Sequence, residues 1–269
     1  MKKFTLIYFF LISLTGCIKY VQVFDTASTN TQLNNNYFVY ETDTLLIKYY
    51  FWAERGILGF SVFNKIDKPI YIDWKNSSFV YNDDKLNYWN DEAYYYTAGI
   101  YKSLSYHGNL IIPDFSLSKG VNVSTTLKVK PERITFIPPK SNYYNSSFHL
   151  LPVIYDFTYY VMGNYKDSVV RRSDKPEKKI HLHVERFLKN GSPIRFRNFL
   201  AISLNENFQH VFYVDNEFYV SAITKMDYRH FRGKEVSRVG NYDGYHIIYE
   251  YPFKKITSFY VLPNTQQSH

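Results

Sequence analysis

Alternation of apolar and polar residues runs through most of this chain and restricts it to a fold built from strands. In residues 70–74, Ile70, Ile72 and Trp74 fall on one face of a strand, and residues 179–187 alternate in the same way. A helical periodicity is almost absent over any long stretch. We therefore predict a mainly β protein with one or two Ig-like antiparallel β-sandwich domains.

The composition excludes several classes of protein. Of 269 residues, 45% are hydrophobic and 20% are aromatic, which is more apolar surface than a disordered or collagen-like chain carries. The single cysteine excludes a disulfide framework, a cysteine-rich zinc site and an iron–sulfur cluster. The net charge of +8 fits general solubility better than attraction to anionic lipid headgroups, although both explanations stay open.

Pro138 and Pro139 mark the boundary that we expect between two units. It separates an N-terminal sandwich-like domain, residues 17–140, from a C-terminal β-rich domain, residues 141–269. Asn190 and Gly191 predict a type I′ turn between two hairpin strands, because both central residues of that turn need a positive φ. Residues 221–231 are compatible with a short helix.

The N-terminus has the three parts of an export signal. Lys2 and Lys3 form a cationic start, and residues 4–13 are an apolar run of ten residues. A bilayer-spanning helix needs about 20 such residues, so this run predicts a cleaved signal peptide, residues 1–16.

The next residues, Leu14-Thr15-Gly16-Cys17, resemble the bacterial lipobox. The resemblance implies that the Gly16–Cys17 bond is cleaved, that Cys17 takes a diacylglycerol thioether, and that the new amino terminus is acylated. Membrane lipid is then a partner of the protein through Cys17. The alternative is that Cys17 is a small buried core residue.

Residues 18–24 bear on which membrane face holds the anchor. Position 18 is Ile rather than the Asp of the best-known inner-membrane retention rule, and no acid follows before Asp25. We expect the outer membrane, with the periplasmic face favoured over the cell surface.

Residues 51–56, 64–79 and 193–200 resemble an uncharacterised lipoprotein family of the Bacteroidota type, and the resemblance runs over most of the mature chain. It brings no established activity, cofactor or site. The first half is similar to Ig-like envelope modules, with an Asn-x-x-x-Lys-Pro-Ile turn between strands. Residues 73–75, Asp-Trp-Lys, are the part of this resemblance to probe first.

Motifs of catalysis are missing from the sequence: no GxSxG elbow, P-loop, GxGxxG or HExxH occurs. We therefore predict no catalytic residue and no cofactor. The favoured function is a non-enzymatic accessory or interaction subunit of an outer-membrane complex, bound to an envelope protein. A hydrolase or metalloenzyme that uses His181 or His183 is kept as an alternative.

His181, His183 and Glu185 fall on one face of a predicted strand and carry metal-binding atoms. Neighbouring positions on that face are about 7 Å apart, so at most two of the three side chains could share one ion. We predict no metal site here and keep an exposed strand face as the simpler interpretation.

Aromatic residues are concentrated in the less regular segments and suggest a second function, glycan binding. Trp89 and residues 94–96, namely Tyr94, Tyr95 and Tyr96, could contact a ligand, because exposed aromatic rings offer large area with a polar group. The alternative is that these tyrosines are ordinary strand residues.

Arg195-Phe196-Arg197 is typical of nucleic-acid binders, but a lipid-anchored envelope protein meets little nucleic acid, so we expect no such partner. On a strand, Arg195 and Arg197 share one face while Phe196 points to the core.

Three short segments match the Asp-(Ser/Thr)-aliphatic or small pattern that exported proteins of the Bacteroidota lineage commonly O-glycosylate. The candidate acceptors are Thr26, Thr44 and Ser168.

Overall fold

The computed structural model of the chain describes residues 20–90, 94–97, 102–107, 114–119, 126–129, 132–151, 166–171, 175, 179–241 and 244–262. Within these residues the chain is mainly β, and every pairing between named strands is antiparallel, as predicted. The strands are β1 Tyr20–Ser28, β2 Gln32–Asn34, β3 Tyr37–Glu41, β4 Leu45–Tyr50, β5 Gly59–Asn64, β6 Ile70–Tyr81, β7 Asp84–Asn87, β8 Tyr94–Thr97, β9 Lys102–His107, β10 Asp114–Lys119, β11 Thr126–Val129, β12 Ile134–Ile137, β13 Asn142–Asn145, β14 Lys166–Arg171, β15 Lys179–Arg186, β16 Arg195–Ser203, β17 Val211–Asp227, β18 Glu235–Asn241, β19 Gly244–Tyr249 and β20 Ser258–Val261.

Two sheets carry the architecture. The larger sheet has the order β12-β6-β16-β17-β1-β20, with β7 beside β6, β15 beside β17 and β14 beside β15. The smaller sheet has the order β13-β5-β4-β3-β2. Three further two-stranded sheets pair β9 with β10, β8 with β11 and β18 with β19.

One hydrophobic cluster fills the space between the two main sheets. Ile47 and Phe60 of the smaller sheet, and Phe196 and Phe218 of the larger sheet, are fully buried in it. The Phe51 ring lies 5.2 Å from Phe218 and nearly perpendicular to it, the edge-to-face geometry that aromatic pairs favour. The result is a two-layer, sandwich-like arrangement. Along many of its strands, apolar residues that point into the core alternate with residues that point outward.

Strands from both sides of the expected boundary at residues 140 and 141 share the larger sheet. Strand β6 pairs with β16, with Ile72 opposite Ile202, and β1 pairs with β17 along nine residue pairs. The boundary itself falls in the turn between β12 and β13. Residues of both halves therefore contribute to one sheet and one core cluster.

The predicted hairpin turn at Asn190 and Gly191 is wrong. Both β15 and β16 pair antiparallel with β17, so they run in the same direction. A 3-10 turn, Lys189–Gly191, separates them, and neither Asn190 nor Gly191 has a positive φ. Strand β17 is 17 residues long, so it pairs with β16 along its first half and with β15 near its end. The chain between β15 and β16 therefore shifts sideways along β17 without turning back.

The short helix expected over residues 221–231 forms only at its end. Strand β17 continues to Asp227, and α1, Tyr228–Phe231, follows as a single turn. The Asp227 side chain caps it by accepting a hydrogen bond from the Arg229 backbone amide. Among the described residues, no helix has the length and apolar character needed to cross a membrane.

Candidate functional site

The larger sheet has an outer face, which we define as the side of β12, β6, β16 and β17 that points away from the smaller sheet. On β16, Phe196 is fully buried in the core, whereas Arg195 and Arg197 alternate with it and are partly exposed. The predicted placement of these three residues is confirmed. Every second side chain of these four strands therefore points to the outer face.

One end of the outer face is apolar. Phe136, Tyr71 and Val211 occupy one cross-strand row, with Phe136 opposite Tyr71 and with Ser203 between Tyr71 and Val211. The Tyr71 ring lies 5.7 Å from Phe136 and 6.4 Å from Phe208, which belongs to the loop after β16. We call Tyr71, Phe136, Phe208 and Val211 the apolar patch.

The apolar patch is open to solvent. Phe136 lies on β12, an edge strand of the larger sheet, and is 53% exposed. Val211 is 37% exposed. Exposed apolar side chains that lie together on a protein surface often belong to binding sites, whereas single exposed apolar residues need no explanation.

The other end of the outer face holds a polar cleft of about 210 Å³. Asn82, in the turn between β6 and β7, adopts the left-handed conformation, with φ of 51°. Its backbone amide donates to the Arg195 carbonyl at 2.7 Å, and its side-chain oxygen accepts from the Arg195 backbone amide at 3.0 Å. The cleft is lined by Val80, Asn82, Asp83, Arg195, Arg197 and Glu217.

The charges in and around the polar cleft form pairs. Three cation–carboxylate contacts lie side by side: Arg195 with Asp83 at 3.5 Å, Arg197 with Asp215 at 3.1 Å, and Lys189 with Glu217 at 2.6 Å. Three positive and three negative groups therefore cancel. All six side chains are at least partly exposed, so each pair contributes little to stability.

A stacked aromatic pair lies between the polar cleft and the apolar patch. The rings of Phe199 and Tyr213 are 5.2 Å apart and inclined by 21°. Phe199 is two residues beyond Arg197 on the same face of β16, and Tyr213 is 60% exposed.

The Asp-Trp-Lys segment at residues 73–75 forms a bulge in β6. Ser78 pairs with Phe199 and Asp73 pairs with Ala201, so the intervening residues of β6 face only one residue of β16. The Asp73 carboxylate accepts hydrogen bonds from the Arg133 guanidinium and from the Lys75 backbone amide.

The same contacts set the ionisation of Asp73. Burial raises the pKa of this carboxyl, but the hydrogen bonds from Arg133 and Asn76 and the Arg133 charge lower it more, so the pKa lies below its ordinary value. Trp74 is buried, and its indole donates to the Thr135 hydroxyl at 2.7 Å. This segment therefore joins β12 to β6.

Sequence reasoning missed a polar cluster inside the core. The Tyr49 hydroxyl accepts hydrogen bonds from the side-chain amides of Asn198 and Asn216, and Tyr88 donates to Asn198 at 2.8 Å. Burial raises the pKa of Tyr49 and of Tyr88. The side-chain oxygen of Asn216 is buried without a hydrogen-bond partner. The available signal was two asparagines at inward positions of otherwise apolar strand faces.

His181, His183 and Glu185 lie at alternate positions of β15, as predicted. The His183 ring nitrogen Nδ1 is 2.6 Å from the Asp167 carboxylate of β14, and His181 is exposed. In the part of the chain that the structure describes, no group of three His, Cys, Asp or Glu side chains is arranged to hold a metal ion.

The predicted aromatic ligand segment is only partly described. Trp89 is half-buried and packs against the core cluster. Tyr94, Tyr95 and Tyr96 belong to β8, which pairs with β11, and their side chains lie outside the described part. The grouping of Trp89 with the three tyrosines therefore stays a prediction.

The predicted modification sites are placed as follows. The Thr26 hydroxyl donates to the Thr257 carbonyl. Thr44 lies in the turn between β3 and β4, and Ser168 is half-buried on β14 opposite Leu182. Gly16 and Cys17 lie outside the described residues.

The outer face thus combines two exposed aromatic side chains, Phe136 and Tyr213, with an adjoining cleft. No family model, curated protein or solved structure matches the chain.

Proposed function

We propose that this protein is a lipid-anchored, non-enzymatic lipoprotein of the outer membrane that binds another envelope protein through the apolar patch. The proposal includes cleavage of residues 1–16, acylation of Cys17, a periplasmic position, and membership of the Bacteroidota-type lipoprotein family. We also propose that the sandwich belongs to the Ig-like class.

The distance between the anchor and the first strand supports a membrane-proximal role. Strand β1 begins at Tyr20, three residues after Cys17. An extended chain covers at most about 3.5 Å per residue, so these residues reach roughly 10 Å. Lipid chains on Cys17 would therefore hold the sandwich next to the membrane, and two or more such chains give a durable attachment.

The observation that carries the partner-binding proposal is the row of Phe136, Tyr71 and Val211, in which Phe136 and Val211 are exposed and Tyr71 is half-buried. Binding energy at protein interfaces is concentrated in a few large side chains, with aromatic residues prominent among them. Phe136 is half-exposed and held in place by its ring contact with Tyr71. A contact of this kind restricts the Phe136 ring before a partner covers it, which lowers the cost of ordering it on binding.

Several shifted pKa values among the described residues have structural causes. In the described residues, the lowered pKa of Asp73 goes with Arg133, and the lowered pKa of Asp227 goes with Arg229 and the cap of α1. The raised pKa of Tyr49 arises from burial in the core. Each of these groups has a structural partner, whereas catalytic groups with shifted pKa values line clefts.

The test is affinity purification from gently solubilised membranes, with Phe136→Ala compared with Tyr144→Ala. Tyr144 is 67% exposed on β13 of the smaller sheet and serves as the matched control. We expect wild type and Tyr144→Ala to recover the same partner, and Phe136→Ala to recover at least fivefold less. Recovery of the protein alone, or equal recovery with both variants, would contradict the proposal.

A further inference from the structure

The polar cleft beside Asn82 has donors and acceptors that the described protein leaves free. The Asn82 side-chain oxygen is held by the Arg195 backbone amide, so its amide nitrogen points elsewhere, and no acceptor in the described residues contacts that nitrogen. Glu217 uses one carboxylate oxygen for Lys189 and Thr29, which leaves the other oxygen available. Arg195 has five N–H groups, and its contact with Asp83 is long, at 3.5 Å.

The charge balance decides which class of ligand fits. A phosphate or sulfate group would meet the Glu217 carboxylate, and it would have to displace Asp83 from Arg195. An uncharged ligand with many hydroxyls avoids both effects, since each hydroxyl accepts from one group and donates to another. The neutral cleft therefore favours a polyhydroxylated ligand over an anion.

The cleft volume and the neighbouring aromatic pair agree with this class. About 210 Å³ is below the range of roughly 300–1,000 Å³ typical of sites for drug-sized ligands, so the cleft holds one small ring. Phe199 lies about 7 Å beyond Arg197 along β16, and Tyr213 stacks on it, so a longer oligosaccharide that leaves the cleft along this face would reach the stacked pair. Tyr213 offers an exposed aromatic surface with a hydroxyl at its edge.

We propose that the polar cleft binds a neutral oligosaccharide, with one sugar ring between Asn82, Arg195 and Glu217 and a later ring of the same chain against Tyr213. This site is separate from the apolar patch, and it does not depend on the partner proposed above. It also differs from the Trp89 segment, since Trp89 packs against the core.

The test is calorimetric titration of the full-length protein in detergent with neutral oligosaccharides of glucose, mannose, galactose and N-acetylglucosamine. Inorganic phosphate and a sulfated oligosaccharide form the anionic arms. Asn82→Asp keeps the oxygen that accepts from Arg195 but removes the free donor, and Tyr213→Ala removes the stacking surface. Asn34→Asp, on an exposed residue of β2, is the matched control.

We expect at least one neutral oligosaccharide to bind, with affinity reduced fivefold or more by Asn82→Asp and by Tyr213→Ala and unchanged by Asn34→Asp. Phe136→Ala should also leave this binding unchanged, which separates the cleft from the apolar patch. Binding of the anionic probes alone, binding of no oligosaccharide, or binding that both cleft variants leave intact would overturn the proposal.

Discussion

The Arg133 guanidinium donates two hydrogen bonds to the Asp73 carboxylate, at 3.1 and 3.3 Å. Asp73 is almost fully buried on β6, whereas Arg133 precedes β12 and is half-exposed. The contact therefore fastens the edge strand to the sheet three residues before Phe136. A forked contact of this kind fixes orientation as well as distance, which a single charge pair does not.

Replacing Arg133 with Ala should lower stability, because Asp73 then keeps a buried charge with fewer donors. We expect a clear decrease in the urea midpoint. The matched control is Arg229→Ala, which removes a second forked contact, to Asp227, in which Arg229 is 81% exposed. Exposed pairs contribute little, so the control should change the midpoint less. Equal effects of the two variants would show that the Asp73 contact has no special role.

The stabilisation from Asp73 should depend on pH. Its pKa is lowered in the folded protein from an ordinary value of 3.8, so the folded state binds its proton less tightly than the unfolded state. The contribution is therefore present above pH 4 and is lost as the pH falls through the folded-state pKa. We expect the difference in free energy of unfolding between wild type and Asp73→Asn to shrink steadily below about pH 4. A difference that stays constant from pH 7 to pH 2 would refute this assignment.

The buried tyrosine cluster gives a prediction about the core. Tyr49→Phe removes the hydroxyl that accepts from Asn198 and Asn216 and leaves two buried amide donors without a partner. Each orphaned donor costs about 1–3 kcal/mol in the free energy of unfolding. Denaturant titration should show this loss for Tyr49→Phe. Tyr144→Phe, at an exposed position, should change the free energy by less than about 0.5 kcal/mol.

The three candidate glycan acceptors differ in the availability of their hydroxyls. The Thr26 hydroxyl is engaged by the Thr257 carbonyl, whereas Thr44 lies in a turn and its hydroxyl has no hydrogen-bond partner among the described residues. We expect peptide mass spectrometry of the native protein to find a glycan on Thr44 and none on Thr26. An intact mass that accounts for lipid alone would remove the glycosylation hypothesis.

Local alternation was sufficient to predict much of the larger sheet. It places β15 close to its observed bounds, finds the first part of β6 at residues 70–74, and assigns Phe196 of β16 to the core and Arg195 to the surface. The facing of each side chain follows from its position along a single strand, because successive side chains point to opposite faces.

Long-range pairing explains what local pattern missed. Asn190 and Gly191 are residue types that favour a hairpin turn. Strands β15 and β16 nevertheless pair with the same edge of β17 and run in the same direction. The contact between Asp73 and Arg133 spans 60 residues, and no local pattern predicts it. The polar cleft likewise requires the turn after β6 to meet the start of β16, which depends on sheet order.

The anchored function depends on acylation of Cys17, which metabolic labelling with palmitate measures. Wild type and Cys17→Ser should be expressed in the native host and compared for label and for membrane fractionation. We predict that wild type carries the label and stays with the membrane, and that Cys17→Ser carries none and is released. Equal membrane retention of Cys17→Ser, with no label on wild type, would contradict the anchored function proposed for this protein.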